Sequence, residues 1–112
     1  MLDTEILETL KQIKAESGAN EKERILKRNN NEEFIQVLKY LYDPQYVFGL
    51  ATKKPAKKVN VELKEDCNTI IETFQYLEKN NTGTDFDIFV VQNFIKKIDE
   101  KYKEMLIEMF CK

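Results

Sequence analysis

Apolar residues along this chain return mostly at helical spacing. Ile6, Leu7, Leu10 and Ile13 recur at i, i+1, i+4 and i+7, between acidic residues at the start and Lys14 near the end. That arrangement predicts an amphipathic first helix aligned with its own dipole, stopped by Ser17-Gly18. Asn20, with Glu23 three residues on, reads as the N-cap of a short second helix through Ile25 and Leu26, whose outer face of Lys22, Arg24, Lys27 and Arg28 is basic. A third helix starts near Asn30, with Glu33 completing a capping box. It turns Phe34, Ile35, Leu38, Leu41 and Tyr42 inward until Asp43-Pro44 breaks it.

The pattern then changes. Gly49 and Pro55 punctuate the stretch from Pro44 to Leu63, where a short turn of helix is expected around Tyr46 to Leu50, followed by an exposed loop. Val59, Val61 and Leu63 alternate as a strand does, but no convincing second strand exists to pair with them, so an extended loop is the reading. A further helix is expected from about Glu65 to Lys79, with Ile70, Ile71, Phe74 and Leu77 as its stripe. Thr84, with Asp87 at the capping-box position, opens the next. Its apolar run through Ile88, Val91, Phe94, Ile95 and Ile98 covers most of the circumference, which marks it as the central buried helix. The last helix, from Asp99, carries Tyr102, Met105, Leu106, Met109 and Phe110 in one stripe that is still in phase where the sequence stops, as in a piece cut from something longer. The expected fold is all-α: one compact domain over residues 1–112, of about six to seven helices with a basic loop in the middle.

Composition agrees with a folded domain. The 112 residues are 42% hydrophobic, with seven Phe and five Tyr, which is enough to build a core despite 34% charged residues. Cys67 and Cys111 lie far apart, and the N-terminus lacks the pattern of a secretion signal, so a reducing, cytoplasmic setting is expected. No apolar run approaches the roughly 20 residues needed to span a bilayer, and no membrane partner is expected.

Catalytic chemistry is hard to place. Histidine is absent, two distant cysteines cannot build a zinc site, and three glycines leave no room for a P-loop or a dinucleotide-binding turn. No catalytic residue, metal site or cofactor site is assigned to this chain. What stands out is Ala51-Thr52-Lys53-Lys54-Pro55-Ala56-Lys57-Lys58, with four lysines and no acid inside six positions. Such a cluster is either an electrostatic clamp for phosphates or a solvated connection. Thr82-Gly83-Thr84 is the second candidate, because backbone N–H groups and the positive end of a helix dipole favour an anion, although an ordinary capped helix looks the same in sequence. Tyr46 and Phe48, beside the lysines, are expected to pack inward rather than stack on bases. The net charge of −2 argues against a strongly basic, free-standing nucleic-acid binder, but the distribution of charge matters more than its sum.

Three segments carry a resemblance. One is Ile6 to Leu10 followed by Ser17-Gly18-Ala19-Asn20-Glu21-Lys22-Glu23-Arg24-Ile25-Leu26. Another is Phe34 to Tyr42 followed by Asp43-Pro44-Gln45-Tyr46-Val47-Phe48-Gly49-Leu50 and then Lys53-Lys54. The last is Leu77 to Phe86 with its Thr-Gly-Thr turn. In this order they resemble the N-terminal DNA-binding domain of ATP-dependent DNA ligases, particularly those of the T-even bacteriophage and related bacterial-virus type. The nucleotidyltransferase signature of those enzymes, a Lys followed two residues later by Asp-Gly, is absent. The resemblance therefore implies a non-catalytic domain, a monomer, that grips nicked double-stranded DNA beside the remaining ligase domains, with ATP and Mg used elsewhere in the parent enzyme. It implies phosphate contacts by Lys53, Lys54, Lys57 and Lys58, a further phosphate at Thr82, Gly83 and Thr84, and lesser contacts by Asn20 and Lys22, without reading of sequence. The alternative is a helical protein-protein interaction module using the same core.

Overall fold

The computed structural model describes residues 1–51 and 57–112. Among these, the fold is all-α: six α-helices and one 3-10 turn, with no strand. They are α1 Asp3–Ala15, α2 Ala19–Arg28, α3 Glu32–Tyr42, α4 Ile70–Lys79, α5 Asp85–Lys96, the 3-10 turn Glu100–Tyr102 and α6 Lys103–Phe110. No described helix is long and apolar enough to cross a membrane.

Neighbouring elements pack in sequence: α1 on α2, α3 on α4, α4 on α5 and α5 on α6. A single apolar cluster takes buried residues from every helix except α2, whose one buried side chain, Ile25, lies apart from it. Burial of large aromatic groups dominates such a core, and here the rings touch in a chain. Phe74 of α4 stacks on Tyr40 of α3 at 4.9 Å and meets Phe110 of α6 edge-on at 4.9 Å, and Phe48 tilts against it at 5.5 Å. Phe110 in turn meets Phe94 of α5 at 6.0 Å. The central helix expected from the apolar run is α5, with Ile88, Val90, Val91, Phe94 and Ile95 all buried.

Several local expectations are corrected. Tyr46 to Leu50 is not a turn of helix but irregular chain that drops Phe48 and Leu50 into the core while Val47 is exposed. The Phe48 N–H donates to the Lys112 carbonyl at 2.8 Å, which fixes that path. The helix expected from Glu65 begins at Ile70, where the Thr69 hydroxyl accepts from the Glu72 N–H and the Glu72 carboxylate accepts from the Asn68 N–H. Residues 65–68 are drawn out of the helix by Lys97, whose ammonium donates to the Asp66 carboxylate, the Cys67 carbonyl and the Asn68 side-chain oxygen. Gly18, not Asn20, is the N-cap of α2. Asn31 caps α3 by accepting from the Phe34 N–H at 2.9 Å, and Glu33 instead accepts from the Met1 amine at 2.6 Å. In α3, Val37 and Tyr40 are buried with Phe34, and Leu38 and Leu41 pack partly buried against the core as expected, while Ile35 and Tyr42 are exposed. The last helix is split, since Asp99 caps a 3-10 turn before α6 begins at Lys103.

Gly49 holds this irregular segment against the turn that leads into α5. Its φ is +75°, and a Cβ placed there would stand 2.2 Å from the Asn81 carbonyl oxygen and 3.2 Å from the Gly83 nitrogen. Both the left-handed backbone and the backbone contact require glycine. Gly49→Ala should therefore lower unfolding stability by at least about 2 kcal/mol in urea denaturation. Gly18→Ala, whose nearest neighbour is a flexible Glu16 carboxylate oxygen at 3.5 Å, should stay within about 1 kcal/mol of the native chain.

Candidate nucleic-acid interface

Two of the four lysines of the basic stretch, Lys57 and Lys58, are exposed on the described chain. Lys53 and Lys54 lie outside the described residues. From Lys57 to Asn68 the chain is an irregular arm with neither helix nor strand. Val59 and Leu63 pack against the core from the alternating positions read in the sequence. The arm is tied along α5 by side chains of that helix. Gln92 donates to the Lys57 carbonyl at 2.7 Å, Asn93 donates to the Asp66 carboxylate at 2.9 Å, and Lys97 clasps residues 66–68. These bonds hold the Asp66 carboxyl below its usual range, with the Lys97 contact the larger influence.

The arm, α5 and α6 enclose a groove of about 610 Å³. Among the described residues four lysines line it: Lys57 and Lys58 from the arm, Lys96 from the last turn of α5 and Lys103 from the first turn of α6. No carboxylate is among its described lining residues. Its apolar floor comes from Val59, Phe89, Ile95 and Ile107. Lysine stems cover apolar surface while their ammonium groups stay in water, so such a groove presents charge at its rim. In a chain with 20 acidic and 18 basic residues, the four lysines form a local positive field that opposes the overall balance. Screening limits that field to about 8 to 10 Å, so distant acids do not cancel it.

Lys96 and Lys103 were not singled out in the sequence. They stand seven residues apart, interleaved with Asp99 and Glu100, and the packing of α5 on α6 brings them to the arm. The signal that could have found them is the stripe Phe89, Gln92 and Lys96 at i, i+3 and i+7, a less apolar face of an otherwise buried helix.

Thr82-Gly83-Thr84 enters α5 as a capped helix start. The Thr84 hydroxyl accepts from the Asp87 N–H at 3.4 Å, and the Asp87 carboxylate accepts from the Thr84 N–H at 3.2 Å. Gly83 has φ +67°. Asp87 is buried and also accepts from the Tyr76 hydroxyl at 2.9 Å. Burial, then this bond, pushes the Tyr76 phenol above its usual range, so it stays a donor. One of the N–H groups offered for a phosphate, that of Thr84, is thus already bonded to the Asp87 carboxylate, and Asp85 and Asp87 bring negative charge to the same helix end. The structure does join this turn to the basic stretch, because the Lys57 ammonium pairs with the Asp85 carboxylate at 2.9 Å.

Asn20 and Lys22 lie on α2, which packs on α1 and contributes nothing to the groove lining. Of the other reactive groups, Cys67 is buried, and desolvation, then the Glu65 carboxylate beside it, push its thiol up to about 12. A thiol held so fully protonated is not a nucleophile at neutral pH. Among the described residues no group of three or more Cys, Asp or Glu is placed to hold a metal ion.

No protein-family model, curated protein or solved structure matches this chain.

The Asp87 bonds are structural, and their loss should register as stability. Tyr76→Phe removes one neutral donor from a buried carboxylate and should cost about 1 to 2 kcal/mol, whereas Asp87→Ala also frees the Thr84 N–H and strands the phenol, and should cost about 3 kcal/mol. Thermal melts followed by circular dichroism measure both.

Proposed function

We propose that this domain binds the phosphate backbone of duplex DNA without reading base sequence, and that it is the DNA-binding domain of an ATP-dependent DNA ligase. The observation that carries the binding half is the groove lined by Lys57, Lys58, Lys96 and Lys103, with no carboxylate among its described lining residues and with Lys57 paired to Asp85. Lysine is a mobile point charge suited to phosphate oxygens and poor at bidentate base recognition, so a lysine groove positions a protein on a backbone rather than on a sequence. A joining enzyme has to work at any sequence, which agrees with that chemistry. Support for the ligase half is the order of the three sequence segments that resemble ligase DNA-binding domains. The remaining ligase domains, ATP and Mg belong to the proposed parent enzyme, and sealing is assigned to that part rather than to these residues.

The apolar floor of the groove favours a second reading. Phe89 and Ile107 are half-buried within it, and an acidic amphipathic helix of a protein partner could lay its apolar face there with its carboxylates on the lysines. Salt dependence separates the two. A floor-driven contact keeps its affinity as salt rises, whereas four phosphate contacts release counterions and give a slope of log K on log salt of roughly −3 to −4.

The test is a fluorescence titration of nicked duplex, intact duplex and single-stranded DNA at several salt concentrations. Expected are preference for duplex, indifference to its sequence and the steep slope just given. Replacing Lys57, Lys58, Lys96 and Lys103 together by Gln should abolish binding and leave the melting curve in place. Salt-insensitive binding, or none to any DNA at low salt, overturns the proposal.

A further inference from the structure

We infer that Asp85 competes with phosphate for Lys57 and thereby sets how tightly the lysine groove holds DNA. The inference rests on the nucleic-acid reading of the groove and concerns its regulation. Lys57 is the groove lysine whose ammonium is already engaged by a carboxylate, at 2.9 Å, and both partners are about half exposed, at 56% and 45%. Its backbone is fixed independently, by Gln92 on the carbonyl, so the pairing is a choice made by the side chain alone. Asp85 is the first residue of α5, and Phe89, Gln92 and Lys96 follow it at i+4, i+7 and i+11 on one helix face. The carboxylate is outside the groove lining but reaches it through its pair with Lys57. It does not serve the cap, which Thr84 and Asp87 complete between themselves.

A phosphate reaching Lys57 has to displace Asp85 or share the ammonium with it under like-charge repulsion. A single phosphate gains little from that exchange, since an exposed ion pair of this kind is worth little more than the one it replaces. A duplex backbone differs, because it engages Lys58, Lys96 and Lys103 in the same event, and the displaced contact is one among several. Asp85 thus weakens the hold on isolated phosphates and short anions relative to a continuous backbone, and it keeps the grip on DNA reversible.

The experiment is a double-mutant cycle on nicked duplex with the native chain, Asp85→Asn, Lys57→Gln and the pair combined, together with Asp85→Glu and with Glu21→Gln as a distant control. Glu21 lies on α2 and pairs with Arg24, away from the groove. Asp85→Asn should tighten binding about two- to fivefold at low salt, the range that an exposed pair covers, and should do so only where Lys57 is present. Asp85→Glu, which keeps the carboxylate, should return the native affinity, and melting curves establish that each variant is folded. Equal tightening in the Lys57→Gln background, or from Glu21→Gln, would mean that Asp85 acts only through total charge and overturns the inference. So does native affinity in Asp85→Asn while Lys57→Gln still weakens binding. If the native chain binds no duplex at all, the nucleic-acid reading fails first and the role of Asp85 fails with it.

Discussion

The contact on which the rest of this structure depends is made by the Phe74 ring. It is fully buried in α4 and touches Tyr40 from α3, Phe48 from the irregular segment and Phe110 from α6. Each aromatic pair of this kind adds about 0.5 to 1.5 kcal/mol beyond the area it buries, but the larger consequence is geometric. Short helices of 8 to 13 residues are not stable alone in water, and most of their order comes from packing. A ring shared by four segments makes them form together or not at all. Lys112 reinforces that arrangement from the other side, donating to the Tyr40 carbonyl and so satisfying an orphan oxygen in the last turn of α3, while its own carbonyl takes the Phe48 N–H.

From this core the groove follows in two steps. Phe48 pins the irregular segment, Gly49 lets its backbone lie against Asn81 and Gly83, and the turn into α5 is thereby positioned against the body. The arm of residues 57–68 then lies along α5, held by Gln92, Asn93 and Lys97, and carries Lys57 and Lys58 to where α5 and α6 present Lys96 and Lys103. Polar side chains on the one buried helix do the positioning. In that setting Gln92 and Asn93 are not flaws in an apolar run but the points at which an irregular segment finds partners for its backbone and its carboxylate.

The helices were legible in the sequence because their apolar stripes are long and their caps chemically distinct. Thr84 with Asp87 reads as a capping box and is one. Helix starts were misjudged where an Asn or Glu had two possible uses. Glu33 has capping-box spacing from Asn30 but turns to the Met1 amine, and Asp66 to Asn68 could continue a helix but are claimed by Lys97, a residue 29 to 31 positions away. Local propensity cannot register a partner so distant in sequence. The Tyr46 to Leu50 segment shows the same limit: it reads as a turn of helix, and an irregular path is justified only by what Phe48 and Leu50 pack on. The site divides in the same way. Lys57 and Lys58 stand out because no acid interrupts their lysine-rich stretch, whereas Lys96 and Lys103 are interleaved with Asp99 and Glu100 and become a site only through helix packing.

The Thr82-Gly83-Thr84 turn shows why a helix N-terminus is weak ground for an anion site unless its own carboxylates are counted. Asp87 already fills the position a phosphate oxygen would take, bonded to the Thr84 N–H and anchored by Tyr76, and Asp85 adds a second negative charge one residue into the helix. The dipole that attracts a phosphate has been met from within the chain. What this leaves exposed at that end is a lysine bound to one of those carboxylates. The positive charge able to meet a ligand has thus moved from the backbone of the turn to the side chains of the neighbouring groove. A contact made by flexible lysines on an acidic body is weak and salt-sensitive, and it is indifferent to base sequence. On the DNA-binding reading proposed above, those are the properties a domain needs if it must close on a backbone wherever it meets one and then release it.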